Sequence, residues 1–257
     1  MSEVARLEGN MLELTAFGET LPQAYHQALY LLEKCGQEVD CPDYNTKTKE
    51  LSMTIVVQKP LAEPMISKCF IGDPESLEQY RMEMLDGILD FEVGKGNWDY
   101  TYHLRYQDQI GFVIDELRRN PDSRRAVMMI RDKIMDMYSD DPACMQHIQY
   151  FIRNGKLDCQ VLFRSNDACK ATFMNAFALI MLQKKIADEL GVKVGTYTHR
   201  ANSFHCYQRD YHLLEGYVER TEDETDPMAY SYKGDWDELM EEARPGILKK
   251  VEELKAR

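Results

Sequence analysis

With 257 residues, 44% of them hydrophobic, the chain is long enough to bury a sizeable core and fits one large domain about as well as two small ones, of which one domain spanning 1–257 is preferred. A formal charge of −13 excludes a general attraction for nucleic acid polymers or anionic membranes, so any phosphate must be held by a few local arginines. Seven cysteines without a CxxC pair, no apolar signal segment and no apolar run near the ~18 residues that span a bilayer predict a soluble cytoplasmic protein with reduced thiols and no metal centre.

Leu21, Tyr25, Leu29 and Leu32 recur at helical spacing before Gly36, which predicts a helix over 22–35. Leu51 to Val57 is rich in β-formers and predicts a strand. The apolar i, i+3, i+4 pattern then returns over Glu75 to Leu89 after Asp73-Pro74. Gly94 to Asn97 reads as a loop, and Tyr106 to Arg119 as a helix stopped at Asn120-Pro121. Ala126 to Ile130 is expected as a short buried strand. Ile148 to Ile152 and Leu157 to Phe163 flank Asn154-Gly155, a strong hairpin signal, with Cys144 just before the first strand and Arg164 at the end of the second. Thr172 to Leu190 predicts a long apolar helix ended by Gly191, Val194 to Tyr207 a strand, and Trp236 to Arg257 a charged amphipathic helix.

Chemistry concentrates between Asp141 and Tyr207. Cys144, Arg164-Ser165, Asn175 and His205-Cys206-Tyr207 supply a thiol, a guanidinium, a carboxamide and hydroxyls, the groups needed to attack a ring, hold a phosphate, read a base edge and grip a sugar. Each also has a plain alternative: a buried structural thiol, solvated arginines, a satisfied core amide, ordinary strand packing. The Asn175 carboxamide donates and accepts at once, which complements the O4 and N3–H edge of uracil. His205 and Tyr207 alternate on one strand face, so both can reach one sugar. A guanidinium such as Arg164 near Cys144 is expected to lower the thiol pKa.

The spacing of Cys144, Gln149, Arg164-Ser165-Asn166-Asp167, Asn175 and His205-X-Tyr207 resembles the thymidylate synthase family. So do the tracts Asn120-Pro121-Asp122-Ser123-Arg124-Arg125 and Tyr100-Thr101-Tyr102-His103-Leu104-Arg105, and together these cover roughly 98–210. The tyrosine tract and short length look most like the archaeal-type branch. Met145 stands where many members have histidine, Ala171 where a glycine is usual, and only Trp98 precedes the tyrosine tract.

The resemblance implies an α+β fold, one large mixed β-sheet backed by helices, dimerising through the sheet. It implies transfer of a one-carbon unit to C5 of dUMP, giving dTMP, from 5,10-methylenetetrahydrofolate or a related methylene-tetrahydropterin as co-substrate. Cys144 would add to C6, with Tyr100 in the catalytic group. Arg164 and Ser165 would hold the phosphate, with Arg124 and Arg125 reaching it across a homodimer. Asn175 would read the base, and His205 and Tyr207 the sugar. Asp167 either contacts the pterin or caps the helix starting near Thr172. The acid-base carboxylate is Glu78 or Glu83: Glu83-Met84-Leu85 matches the family's wording better, whereas Glu78 shares a helical face with Met82 and Leu85 and is preferred. Two alternatives stay open: a pyrimidine nucleotide 5-hydroxymethylase, in which water ends the reaction, and a non-catalytic nucleotide-binding relative.

Overall fold

The computed structural model describes residues 11–221 and 226–256. In chain order the elements are β1 (Glu13–Gly18), α1 (Leu21–Cys35), β2 (Gln37–Cys41), β3 (Thr46–Val57), β4 (Ile66–Ser67), α2 (Pro74–Asp86), α3 (Phe91–Gly94), α4 (Tyr102–Tyr106), α5 (Ile110–Arg119), β5 (Val127–Met129), β6 (Met145–Arg153), β7 (Lys156–Asp167), α6 (Thr172–Leu190), β8 (Lys193–Tyr207), α7 (Tyr211–Thr221), β9 (Ala229–Tyr230) and α8 (Asp237–Lys255). The result is the expected α+β class.

Seven strands form one mixed sheet in the order β1-β3-β8-β7-β6-β5, with β2 also paired to β3, and β4 and β9 form a separate two-stranded ribbon. The β6–β7 hairpin turns through Asn154 and Gly155, both at positive φ (50° and 71°), which two-residue turns of this hand require. β7 and β8 run parallel, in a register that sets Ser165 beside Ser203 and Asp167 beside His205. Their connection is α6, a right-sized crossover buried on nearly every side from Thr172 to Ala187, as its unbroken apolar run demands. Gly191 ends it at φ 69°.

Several sequence expectations shift by identifiable causes. The helix expected to reach Leu89 ends at Asp86, because Gly87 takes φ 63° and stops it. The helix expected from Tyr106 is broken into α4, a 3-10 turn and α5. The Gln109 side chain at the break bonds Arg105 O at 2.7 Å, Met129 O at 2.7 Å and Met129 N at 2.9 Å, tying the turn to β5. The segment Gly94 to Asn97 is half loop, since α3 takes in Gly94. β5 is the sheet's edge strand, and the expected burial holds for Ala126, Met128 and Ile130 but not for Met129, which is 53% exposed. β1, β2 and α7 lie where the sequence pattern announces no element. The tail helix runs to Lys255, and its expected end at Arg257 lies outside the described residues.

Candidate active site

α2 places two sets of side chains on different faces. Its start is fixed by Asp73, whose carboxylate accepts from Ser76 N at 2.8 Å, and by Pro74 in the first turn. Residues 78, 81, 82 and 85 then share one face, and 80, 83 and 84 another, by the i, i+3, i+4 rule. α8 packs on the first face: Glu78 is fully buried there, with Arg81 at 2.7 Å and Arg244 of α8 at 2.5 Å. The second face lines a cavity of about 450 Å³ with Tyr80, Glu83 and Met84, completed by Leu89, Asp90, Trp98, Tyr100, Tyr102 and Asp141. The helical-face argument for Glu78 therefore found a core position, but the core there is an ion-paired joint between two helices. Glu83 is the carboxylate at the cavity. Burial holds it above its ordinary 4.5, partly offset by Gln79, which donates to it at 2.9 Å.

The nucleophile candidate sits at the root of the sheet. Cys144 precedes β6, and Arg164 N donates to its carbonyl at 2.8 Å, locking the segment against β7. The Arg164 guanidinium reaches back to Pro142 O at 2.6 Å and Ala143 O at 3.3 Å, so one side chain braces the whole Pro142-Ala143-Cys144 stretch. The irregular register between Met145 and His147 follows at once. Tyr100 and Tyr102 stand on the other side, their rings 5.6 Å apart. The Tyr100 hydroxyl accepts from the Cys144 backbone, and the Tyr102 hydroxyl accepts from Met145 N at 3.4 Å. Arg164 does pull the Cys144 thiol toward ionisation, as expected. Burial is the larger influence, however, and with Asp141 it leaves the thiol above its ordinary 9.0.

Asn175 lies in the first turn of α6, 5% exposed, and its Oδ1 accepts from the Tyr80 hydroxyl. Ser165 Oγ lies 3.3 Å from His205 Nδ1, and the His205 and Tyr207 rings meet edge-on at 4.9 Å on one face of β8. Burial lowers the His205 pKa below its ordinary 6.5, with Asp167 opposing. Asp167 Oδ1 accepts from Cys169 N at 3.0 Å and Lys170 N at 2.9 Å, so it caps the turn before α6 and not the helix itself, whose N-cap is Ala171. Arg124 and Arg125 are exposed at the far end of the hairpin. Arg125 pairs with Glu116 at 3.2 Å, and Gln149 donates to Arg124 O at 2.9 Å, so within one chain neither joins Arg164.

The fold thus brings together Cys144, Tyr100, Arg164, Ser165, Asn175, His205 and Tyr207, and leaves Glu78, Arg124 and Arg125 outside. Tyr80 and Tyr102 are site residues that sequence reasoning missed. For Tyr80 the available signal was its i, i+3 relation to Glu83. Among the described residues no group of three or more His, Cys, Asp or Glu is arranged to hold a metal, and no helix is long and apolar enough to cross a membrane.

Comparison with known proteins bears on the family and the fold. The family model described as Thymidylate synthase matches residues 79–241. A protein of Methanocaldococcus jannaschii named "Putative thymidylate synthase" is 33% identical over 208 residues, covering 77% of this chain and 93% of that relative. A Thymidylate synthase of Bacillus licheniformis is 31% identical over 137 residues, covering 51% of this chain and 47% of that one. Among solved structures, the thermostable thymidylate synthase A from Bacillus subtilis superposes with a TM-score of 0.63 at 18% identity, over 78% of this chain and 84% of that one, a likeness of fold.

Proposed function

The chain belongs to the thymidylate synthase family, and on that premise we propose that it methylates C5 of dUMP through a covalent adduct on Cys144. The observation that carries this reading is the position of the Cys144 thiol. The backbone that carries it is braced by the Arg164 guanidinium on one side and by the Tyr100 and Tyr102 hydroxyls, which accept from the Cys144 and Met145 backbone, on the other, and both tyrosines also line the cavity with the half-buried carboxylate of Glu83.

In this reading the Cys144 thiolate adds to C6, and the C5–C6 electron pair moves toward O4, making an enolate that is nucleophilic at C5. Glu83 serves the proton at O4, and its raised carboxyl pKa suits a group that must hold a proton and release it. Asn175 orients the base, Arg164 and Ser165 hold the phosphate, and His205 and Tyr207 hold the sugar. Tyr100 takes part in removing the C5 proton, after which elimination returns Cys144. The aromatic wall of Trp98, Tyr80 and Tyr100, edged by Asn97 and Asp90, fits a flat heteroaromatic ring with polar edges, and these residues with Asp167 Oδ2 would hold the pterin. When bound, a methylene-tetrahydropterin supplies the one-carbon unit and the hydride.

We also infer a homodimer. On β8 the residues Tyr197, His199 and Ala201 are buried, whereas Thr196, Thr198 and Arg200 on the opposite face are only half covered, which leaves a sheet face for a second copy. The exposed Arg124 and Arg125 then serve the partner's phosphate.

A second reading is favoured by one observation. α8 packs on the Glu78 face of α2, away from the Tyr80 and Glu83 wall of the cavity, and water ending the reaction would give a 5-hydroxymethyl nucleotide. The deciding experiment is mass spectrometry of the products from dUMP and methylenetetrahydrofolate. Methylation yields dTMP with dihydrofolate. Recovery of 5-hydroxymethyl-dUMP with tetrahydrofolate would replace it with the second reading.

A further inference from the structure

A carboxamide that reads a base carries an ambiguity. Rotated by half a turn it swaps donor for acceptor, and a reader of uracil becomes a reader of cytosine. Uracil presents an acceptor at O4 and a donor at N3–H, whereas cytosine presents an amine and a bare N3. A lone asparagine in a pocket is compatible with both, so something else must choose.

In this chain the choice falls to a residue on another helix. Tyr80 comes from α2, on the face it shares with Glu83, and its hydroxyl donates to Asn175 Oδ1 across the gap to α6. The Asn175 Nδ2 group makes no hydrogen bond to the described residues, so it is the amide's free donor. The inverted amide would turn Nδ2 toward the phenol oxygen. The Tyr80 O–H would then lose its acceptor, and no other is found for it among the described residues. Burial raises the Tyr80 phenol pKa well above its ordinary 10.0, with Glu83 adding to it, so the hydroxyl stays a donor throughout the physiological range. A half-buried donor that loses its one protein acceptor forfeits that hydrogen bond, and the amide is therefore favoured in one sense.

We propose that Tyr80 is a positioning residue that fixes the donor–acceptor sense of the Asn175 carboxamide and so sets the preference of this site for uracil over cytosine nucleotides. This rests on the reading of Asn175 as the base reader. Nδ2 then donates to O4, and the second lone pair of Oδ1 accepts from N3–H. Cytosine meets a donor with its own amine.

The test is the ratio of dissociation constants, dCMP over dUMP, measured by titrating each nucleotide into the purified full-length protein. Tyr80→Phe lowers this ratio about tenfold, the size of one lost hydrogen bond, because dUMP weakens and dCMP tightens. A role in folding alone would move both constants together. Tyr80→Met gives the same loss should phenylalanine pack poorly. Asn175→Ala lowers the ratio on its own, and adding Tyr80→Phe to it changes nothing further. An unchanged ratio in Tyr80→Phe, with Asn175→Ala still lowering it, overturns the role of Tyr80 and leaves the base reader standing. An unchanged ratio in Asn175→Ala overturns both. A Tyr80→Phe effect that persists in the Asn175→Ala background shows that Tyr80 acts by another route, and it too refutes the proposal.

Discussion

Two carboxylates on one helix provide the sharpest test of the site. Glu78→Gln removes a fully buried charge from between Arg81, whose side chain is 16% exposed, and Arg244, which is 44% exposed. Breaking a buried pair by deleting one partner costs about 3–5 kcal/mol. Since Arg244 is partly in water and Arg81 keeps Asp86 at 3.8 Å, the lower end, about 3 kcal/mol, is expected here. For a chain of this length that is a fall of roughly 6–12 °C in Tm. Turnover per folded molecule should change little, because the pair lies behind the helix. Glu83→Gln has the reverse profile. It keeps the Gln79 neighbour and the shape of the wall, but removes a proton-transfer group whose loss costs about 10²–10⁴ in kcat. The assay is thermal unfolding followed by calorimetry, run beside kcat with dUMP and methylenetetrahydrofolate on each variant. A Glu83→Gln enzyme with full turnover, or a Glu78→Gln enzyme that stays stable and loses its activity, would return the acid-base role to Glu78.

Cys144→Ser should bind dUMP with near-normal affinity in equilibrium titration while kcat falls by several orders of magnitude, and substantial product from it would refute covalent addition at this position. In verified heterodimers of an Arg125→Ala chain with a Cys144→Ser chain, activity should return in one site, and its absence would confine these arginines to their own subunit. Burial holds the Glu83 carboxyl above 4.5, so the folded chain binds that proton more tightly than the unfolded one and loses stability as pH climbs from about 4.5 through the raised value. Urea unfolding should accordingly show Glu83→Gln more stable than the parent at neutral pH and level with it below pH ~4; a parent that gains over the variant with rising pH contradicts the assignment. Ile247→Ala, at a site 1% exposed on α8, should cost about 2–5 kcal/mol in urea unfolding without altering the product, and a switch to 5-hydroxymethyl-dUMP would show that this helix does guard the cavity.

Much of this molecule was legible in the chain because local chemistry determines it. The α6 helix from Thr172 to Leu190 ends where Gly191 allows, and the hairpin turns where Asn154 and Gly155 accept positive φ. Cys144, Arg164, Ser165, Asn175, His205 and Tyr207 are candidates by residue type and by the family resemblance that their spacing carries. The first strands escape notice because β1 and β2 are short and half exposed, with no alternation strong enough to mark them. The choice between Glu78 and Glu83 was beyond the sequence for a different reason. Helical periodicity says that the two face different ways, but which way is the cavity depends on what packs behind. α8, arriving from the end of the chain, takes the Glu78 face with Arg244 and leaves Glu83 and Tyr80 facing the cavity. The same holds for Tyr80 and Asn175, 95 residues apart, whose contact exists only once α2 is laid against α6. A chain fixes its own periodicities and turns; the partner each face receives is set by long-range packing, where the apolar surfaces of distant segments compete for burial.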